Sequence, residues 1–258
     1  MVCNKAGRLK YYVKEWSEIT NDKYILSSIT GYEIPFIQEP QQYSQPVPPT
    51  FSQSEANAVS EQIEKLLLMG AIEIVKPEPG QFISNVFVVP KQDKTFRLVF
   101  NLKNLNQFVE EFHFKLEDYR TVCNLIEQDC FMCVVDQENA YHVLPIIEAH
   151  RKYLRFIWNN IIYQYTCLPF GLSSAPYIFT KIMKPVISYL RERGHTSVTF
   201  LDDNLLIGKN YKKCENNVQA TVKLFTKLGL LVNFEKSQLI PAKEAKYLGF
   251  IFNSKNLI

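Results

Sequence analysis

Two adjacent aspartates interrupt an apolar run at FLDDNLLIG (residues 200–208), where SVTFL and NLLIG on either side are patterned as strands. Few folds accommodate that. The charges belong at a hairpin tip, because Asp favours turns and tolerates unusual backbone angles. Taken alone, such a pair is read as a turn and nothing more. A second apolar strand, CFMCVVD (130–136), also ends at an aspartate. Asp136, Asp202 and Asp203 thus all terminate apolar strands, and the expectation is that they are neighbours in space. Buried together, they would repel, raise one another's pKa and take up protons unless a divalent cation offset the charge. Magnesium prefers oxygen ligands and keeps sites for water and phosphate. Two such ions can hold the attacking and leaving oxygens of a phosphoryl displacement.

The rest of the chain reads as alternating hairpins and helices. Residues 33–50 are proline-rich and lack periodicity, which predicts an extended connector rather than folded core. A helix follows: Ser52 and Glu55 have capping-box spacing, Val59, Ile63, Leu66 and Leu67 share one face, and Gly70 is the stop. After KPEPG (76–80), the spacing predicts a hairpin of Asn85–Pro90 and Phe96–Asn101 around a turn at KQDKT. Two further strands pair around Asn159-Asn160. Ser173 to Leu190 reads as helix with Pro176 in its first turn, and a further helix runs near Cys214–Leu228. It leads to LVNF, and a last hairpin is centred on KYLGFIFN. This mixture predicts an α+β domain with helices packed on a sheet face.

Composition excludes little. Apolar residues at 47% and charged residues at 21% are ordinary for a folded chain of 258 residues. No apolar run reaches the roughly 20 residues of a membrane helix, and the N-terminus lacks the apolar stretch of a signal peptide. An intracellular protein, cytoplasmic or nuclear and without a membrane partner, is expected. Six cysteines fit that compartment as reduced thiols. Cys130 and Cys133 form a lone C-x-x-C without a second ligand pair, so buried thiols are expected rather than zinc. From Asn204 onward nine lysines stand against three glutamates. That balance permits a polyanionic partner, but a solvated lysine-rich surface would look the same.

The motifs, taken in order, resemble those of reverse transcriptases. FLDD resembles their Y/F-x-D-D element, and VVDQENAYHVLPI (134–146) resembles their first catalytic motif. LPFGLSSAPYIF (168–179) is similar to the L-P-F-G-L-x-x-A-P-x-x-F of retrotransposon polymerases, and KYLGF (246–250) to the Y-L-G that follows the active site. ISNVFVVPKQDKTFRLVFNLKNLN resembles the fingers hairpin. The N-terminal GRLKYYVKEWSEITNDKYILSSITGYEIPF is similar to the lead-in of DIRS-like, tyrosine-recombinase retrotransposons.

That resemblance implies a right-hand polymerase with fingers and palm, an antiparallel palm sheet backed by helices, and a thumb largely missing. It divides the chain into a lead-in and connector (1–50), fingers with part of the palm (51–130), and palm (131–258) with a fingers insertion near 150–167. It implies an RNA-directed DNA polymerase acting on an RNA or DNA template with primer and deoxynucleoside triphosphates. RNase H and other domains would be supplied by a longer polyprotein. The alternative is a truncated, retroelement-derived module that binds nucleic acid or a partner without polymerising.

By position, Asp136, Asp202, Asp203 and the Gln137 carbonyl would hold two Mg²⁺ ions, with Mn²⁺ able to substitute. Lys91 and Arg97 would clamp the triphosphate, and Lys236 would protonate the leaving pyrophosphate unless it is simply an exposed lysine. Asn139, Ala140, Tyr141, Phe170 and Gly171 would form the nucleotide pocket, with the Tyr141 ring as a steric gate against a ribose 2′-OH. Leu201, Leu248 and Gly249 would lie along the primer and template. The sequence departs from the family's Lys-Asp-Ala-Tyr at Glu138-Asn139-Ala140-Tyr141, which adds negative charge beside the triphosphate.

Overall fold

The computed structural model describes residues 5–90 and 95–256. In chain order the helices are α1 (Val13–Ser17), α2 (Lys23–Thr30), α3 (Gln53–Met69), α4 (Tyr119–Leu125), α5 (Glu148–Arg151), α6 (Ala175–Arg191) and α7 (Tyr211–Lys227). The strands are β1 (Ile72–Val75), β2 (Asn85–Pro90), β3 (Phe96–Asn101), β4 (Phe131–Asp136), β5 (Arg155–Trp158), β6 (Ile161–Tyr165), β7 (Thr196–Phe200), β8 (Asp203–Gly208), β9 (Gln238–Ala242), β10 (Glu244–Tyr247) and β11 (Phe250–Asn253). The class is α+β, with every strand pair antiparallel. The chain divides into two compact units. One comprises residues 1–11, 27–112 and 141–175, the other residues 12–26, 113–140 and 176–258. Among the described residues no helix is long and apolar enough to cross a membrane.

In the first unit, β1, β6 and β5 form a three-stranded sheet and β2–β3 a separate hairpin. The expected strand limits of that hairpin are met at both ends, while most of its KQDKT turn falls outside the described residues. Asn159 and Asn160 both take left-handed φ (+47° and +61°), the geometry that lets a two-residue turn match the twist of β5 and β6. The Ser52/Glu55 capping box forms around the start of α3, and Gly70 ends the helix with φ +71°. Arg155, almost fully buried, donates to Gln164 Oε1 and Gln81 Oε1 (2.7 Å each) and pairs with Glu78 at 3.2 Å, so its charge is shared out among oxygens.

One expectation needs correction here. Part of the 33–50 stretch is core rather than connector. Ile34 is buried, Phe36 lies 5.1 Å from both the His150 and Tyr153 rings, and the Ile34 N–H donates to His150 Nδ1. Proline prevents regular structure along this stretch, but it does not prevent its apolar side chains from being buried.

The second unit is built on the sheet β7-β8-β4-β9. Alternation sends Met132, Val134, Leu205 and Ile207 to one face, where they pack with Val122 of α4 and with Ala245, Tyr247 and Phe252 of the β10–β11 hairpin. Cys133 and Leu206 face α7. The C-x-x-C therefore spans the strand rather than forming a ligand pair. Cys130 belongs to the first cluster and Cys133 lies on the opposite face, both as buried free thiols. Helix α7 begins slightly before the expected start, capped by Asn210, whose Oδ1 accepts from the Lys213 N–H. Residues 12–26 belong to this unit, where Trp16, fully buried, donates through Nε1 to the Leu228 carbonyl just past α7.

Candidate active site

The register of β4 against β8 pairs Phe131 with Gly208 at one end and Asp136 with Asp203 at the other. Directly opposed side chains in an antiparallel pair have Cβ atoms roughly 4.5–5.5 Å apart, and like charges there are destabilising. The apolar run of each strand thus fixes a register whose last pair is two carboxylates. Asp202 sits in the two-residue turn between Phe200 and Asp203, which are themselves register partners. Leu201, the other turn residue, has φ +53°, a conformation that costs a non-glycine residue on the order of 1–3 kcal/mol.

Three anchors hold that turn. Buried Asn204 donates through Nδ2 to the Val135 and Asp202 carbonyls (3.2 and 3.1 Å), and its Oδ1 accepts from Thr199 Oγ1 (3.0 Å). The Tyr247 hydroxyl lies 3.0 Å from the Val198 carbonyl and 3.3 Å from that of Asp203. The Gln137 N–H donates to the Asp202 carbonyl at 3.1 Å. Asp136 is fixed by a different loop. Its N–H donates to Ser237 Oγ, that hydroxyl donates to the Asn233 carbonyl, and the Asn233 N–H donates back to the Asp136 carbonyl. Lys236 is carried by the same loop, exposed, and close enough to favour the charged forms of Asp202 and Asp203.

Its effect is outweighed. Burial, with repulsion from Asp202 and Asp136 added, pushes the Asp203 carboxyl up to about 6. Burial first, then Asp136, also raises Asp202. This is the signature of a carboxylate cluster short of positive charge. Among the described residues no three His, Cys, Asp or Glu side chains are grouped closely enough to hold an ion by themselves. The donors present, the Asp136, Asp202 and Asp203 carboxylates, are nevertheless all oxygens, while the Gln137 side chain turns to Met183, 3.8 Å from its sulfur. That chemistry suits a hard cation whose remaining positions are filled by water and phosphate.

Glu138, Asn139 and Ala140 follow Asp136 in this unit. Asn139 has φ +53° and donates through Nδ2 to Glu138 Oε1, and Ala140 is buried. Leu248 and Gly249 (φ +50° and +82°) form the β10–β11 turn, with Leu248 packed on the apolar cluster that also takes Phe200.

The other expected nucleotide contacts belong to the first unit. Tyr141 is buried in a short 3₁₀ turn, with its ring 4.8 Å from that of half-exposed Phe170. His142 packs edge-on against Phe170 at 5.3 Å, and burial lowers its pKa to about 4, so it is neutral at pH 7. Gly171 has φ +95°, and a Cβ there would lie 2.7 Å from the Phe100 carbonyl oxygen, so glycine is required on both counts. Asn106 fastens this loop, donating to the Gly171 carbonyl and accepting from the Ser173 N–H. Arg97 is exposed on β3 opposite Val89. Lys91 lies outside the described residues.

Residues 89–252 match the family model described as reverse transcriptase (RNA-dependent DNA polymerase). The chain belongs to that family. Among curated relatives, it is 25% identical to the Retrovirus-related Pol polyprotein from transposon opus of Drosophila melanogaster, over 77% of this chain and 20% of that protein. It is 23% identical to the Transposon Tf2-3 polyprotein of Schizosaccharomyces pombe, over 97% of this chain and 19% of that protein. The chain therefore spans about a fifth of the length of these retrotransposon polyproteins.

Among solved structures, the native foamy virus protease-reverse transcriptase aligns with a TM-score of 0.68 at 20% identity, covering 87% of this chain and 28% of that one. A form of the foamy viral enzyme in complex with double-stranded DNA aligns at 0.71 and 17% identity, covering 95% and 46%. The reverse transcriptase fold is thus shared across nearly the whole chain.

Sequence reasoning missed Asn204, Tyr247, Ser237 and Asn106. A polar residue inside NLLIG, where the pattern demands an apolar one, was the available signal for Asn204.

A pH dependence follows from the raised Asp203 carboxyl. Between about pH 4 and 6 the folded state holds this proton while the unfolded chain releases it, so stability falls as pH rises. Urea unfolding across that range should show Asp203→Asn gaining on the native chain as pH rises. A constant difference between the two would contradict the assignment.

Proposed function

We propose that this chain is the polymerase core of an RNA-directed DNA polymerase, extending a primer on an RNA or DNA template with deoxynucleoside triphosphates. The observation that carries the proposal is the opposition of Asp136 and Asp203, with Asp202 beside them on a strained turn. A chain that needed only a hairpin would have no reason to tolerate that charge. Foamy viral relatives in fold have been solved with double-stranded DNA and with an RNA/DNA hybrid, which supports a template–primer duplex as the partner here.

In this reading Asp136, Asp202, Asp203 and the Gln137 carbonyl hold two Mg²⁺ ions, which Mn²⁺ can replace. Such ions, when bound, lower the pKa of a primer hydroxyl and offset phosphate charge. Arg97 and Lys91 hold the triphosphate, Arg97 through a planar fork suited to phosphate oxygens. Lys236 delivers a proton to the departing pyrophosphate. Tyr141, backed by Phe170, fills the space a ribose 2′-OH would need, and Asn139, Ala140 and Gly171 shape the pocket around it. Leu201, Leu248 and Gly249 lie along the primer end.

The finer assignments belong to the same proposal. Residues 51–130 act as fingers with part of the palm, and 131–258 as palm with a fingers insertion near 150–167. RNase H and other domains come from a longer polyprotein of DIRS-like type, acting in the cytoplasm or nucleus.

Primer extension on poly(rA)/oligo(dT) with Mg²⁺ or Mn²⁺ tests the reading. Asp202→Asn should lower extension about a hundredfold or more while leaving the fold intact. Extension that survives the substitution would reject the catalytic assignment. A folded chain that binds the duplex without extending it would indicate a binding module instead. Tyr141→Ala should raise ribonucleotide incorporation relative to deoxyribonucleotides. An unchanged ratio would remove Tyr141 from the gate.

A further inference from the structure

Two thiols that play no part in polymerisation face each other inside the second unit. Cys133 lies mid-way along β4 and Cys214 in the first turn of α7, both fully buried. Their Sγ atoms are 3.6 Å apart and share a hydrogen bond. Cys214 Sγ is also 3.9 Å from the carbonyl of Leu206, the register partner of Cys133.

The approach is enforced from both sides. Gly208 ends β8 directly under α7, where a Cβ would stand only 2.3 Å from the Cys214 nitrogen, so no larger residue allows the helix this close. One turn further on, buried Asn217 donates through Nδ2 to the Thr196 and Ile207 carbonyls at 2.7 and 3.2 Å. Helix and sheet are thereby clamped with the two sulfurs between them. A cleft of about 460 Å³ borders this region, with Cys130, Gly208, Lys213 and Asn216 in its wall.

We propose that Cys133 and Cys214 form a reversible disulfide when the protein meets a hydroperoxide. A disulfide needs about 2.05 Å between sulfurs, a closure of roughly 1.5 Å that side-chain rotation and a small helix shift can supply. Cys214 lies in the first turn of α7, where the helix N-terminus favours a thiolate, which makes it the attacking sulfur. It attacks one peroxide oxygen, the O–O bond breaks, and the sulfur becomes a sulfenic acid as alcohol, or water from hydrogen peroxide, departs. The Cys133 sulfur then attacks that sulfenic sulfur, forming the S–S bond and releasing water with the Cys133 proton. Two thiols and one hydroperoxide thus give one disulfide, one alcohol and one water. The bond ties α7 to β4 three residues before Asp136.

Cys123 is exposed and supplies an internal reference. The full chain would be reduced, treated with hydrogen peroxide until Cys123 is trapped as sulfenic acid by dimedone, alkylated, and digested without reductant. The expected product is one cross-linked peptide pair carrying Cys133 and Cys214, lighter by two hydrogens and released by dithiothreitol. Treatment should also raise Tm. An oxidised Cys123 with Cys133 and Cys214 both still alkylated would overturn the proposal, as would a cross-link through Cys130. The map is read on the native chain, so the result does not depend on whether Cys133→Ser or Cys214→Ser folds.

Discussion

The cross-strand pairing of Asp136 with Asp203 is the constraint around which the second unit is built. Neither strand could present that pair by itself. The apolar residues of β4 and β8 pack so well against α4, α7 and the β10–β11 hairpin that only one register is compatible with burial. A slip of one residue would turn every side chain to the wrong face. The hydrophobic core therefore forces the two carboxylates together. Burial of the site, with repulsion from Asp202 and Asp136 added, appears as a raised Asp203 pKa.

The supporting hydrogen bonds follow from the same requirement. A turn that puts a leucine at positive φ would relax if its carbonyls were free to rotate. Asn204, itself held by Thr199, and Tyr247 fix the Asp202 and Asp203 carbonyls, and the Asn233–Ser237 loop fixes Asp136. The acidic tip is thus preorganised by residues that need not touch substrate. In the first unit, Asn106 and Gly171 serve the loop around Phe170 in a comparable way.

Much of this was legible in the sequence, and the exceptions have physical causes. The hairpins at 85–101, 155–165 and 196–208, the α3 cap and the strand ending at Asp136 are local features, set by alternation, turn residues and caps. Strand β1 was missed because IEIV is too short for its period to stand out. Strand β9 was missed because QLIPA carries a proline and pairs with β4 through an irregular register, at the sheet edge where such a strand survives. The burial of Ile34 and the reach of Tyr247 to the Asp203 carbonyl are long-range outcomes that no window of neighbouring residues contains. The aspartates could be nominated from their positions in the motifs. Their mutual spacing could not, because it depends on a register between strands some seventy residues apart.

The central claim is that the chain sets Asp136 opposite Asp203, with Asp202 in the adjoining turn, so that divalent cations can bind there. Electron paramagnetic resonance of Mn²⁺ titrated into the full chain, with template–primer duplex and an incoming nucleotide present, tests it directly. The account predicts tightly bound Mn²⁺ on the native chain, and loss of that signal when Asp136 and Asp203 are both replaced by Asn while the fold is retained. Bound Mn²⁺ that is unaffected by removing the pair would contradict it.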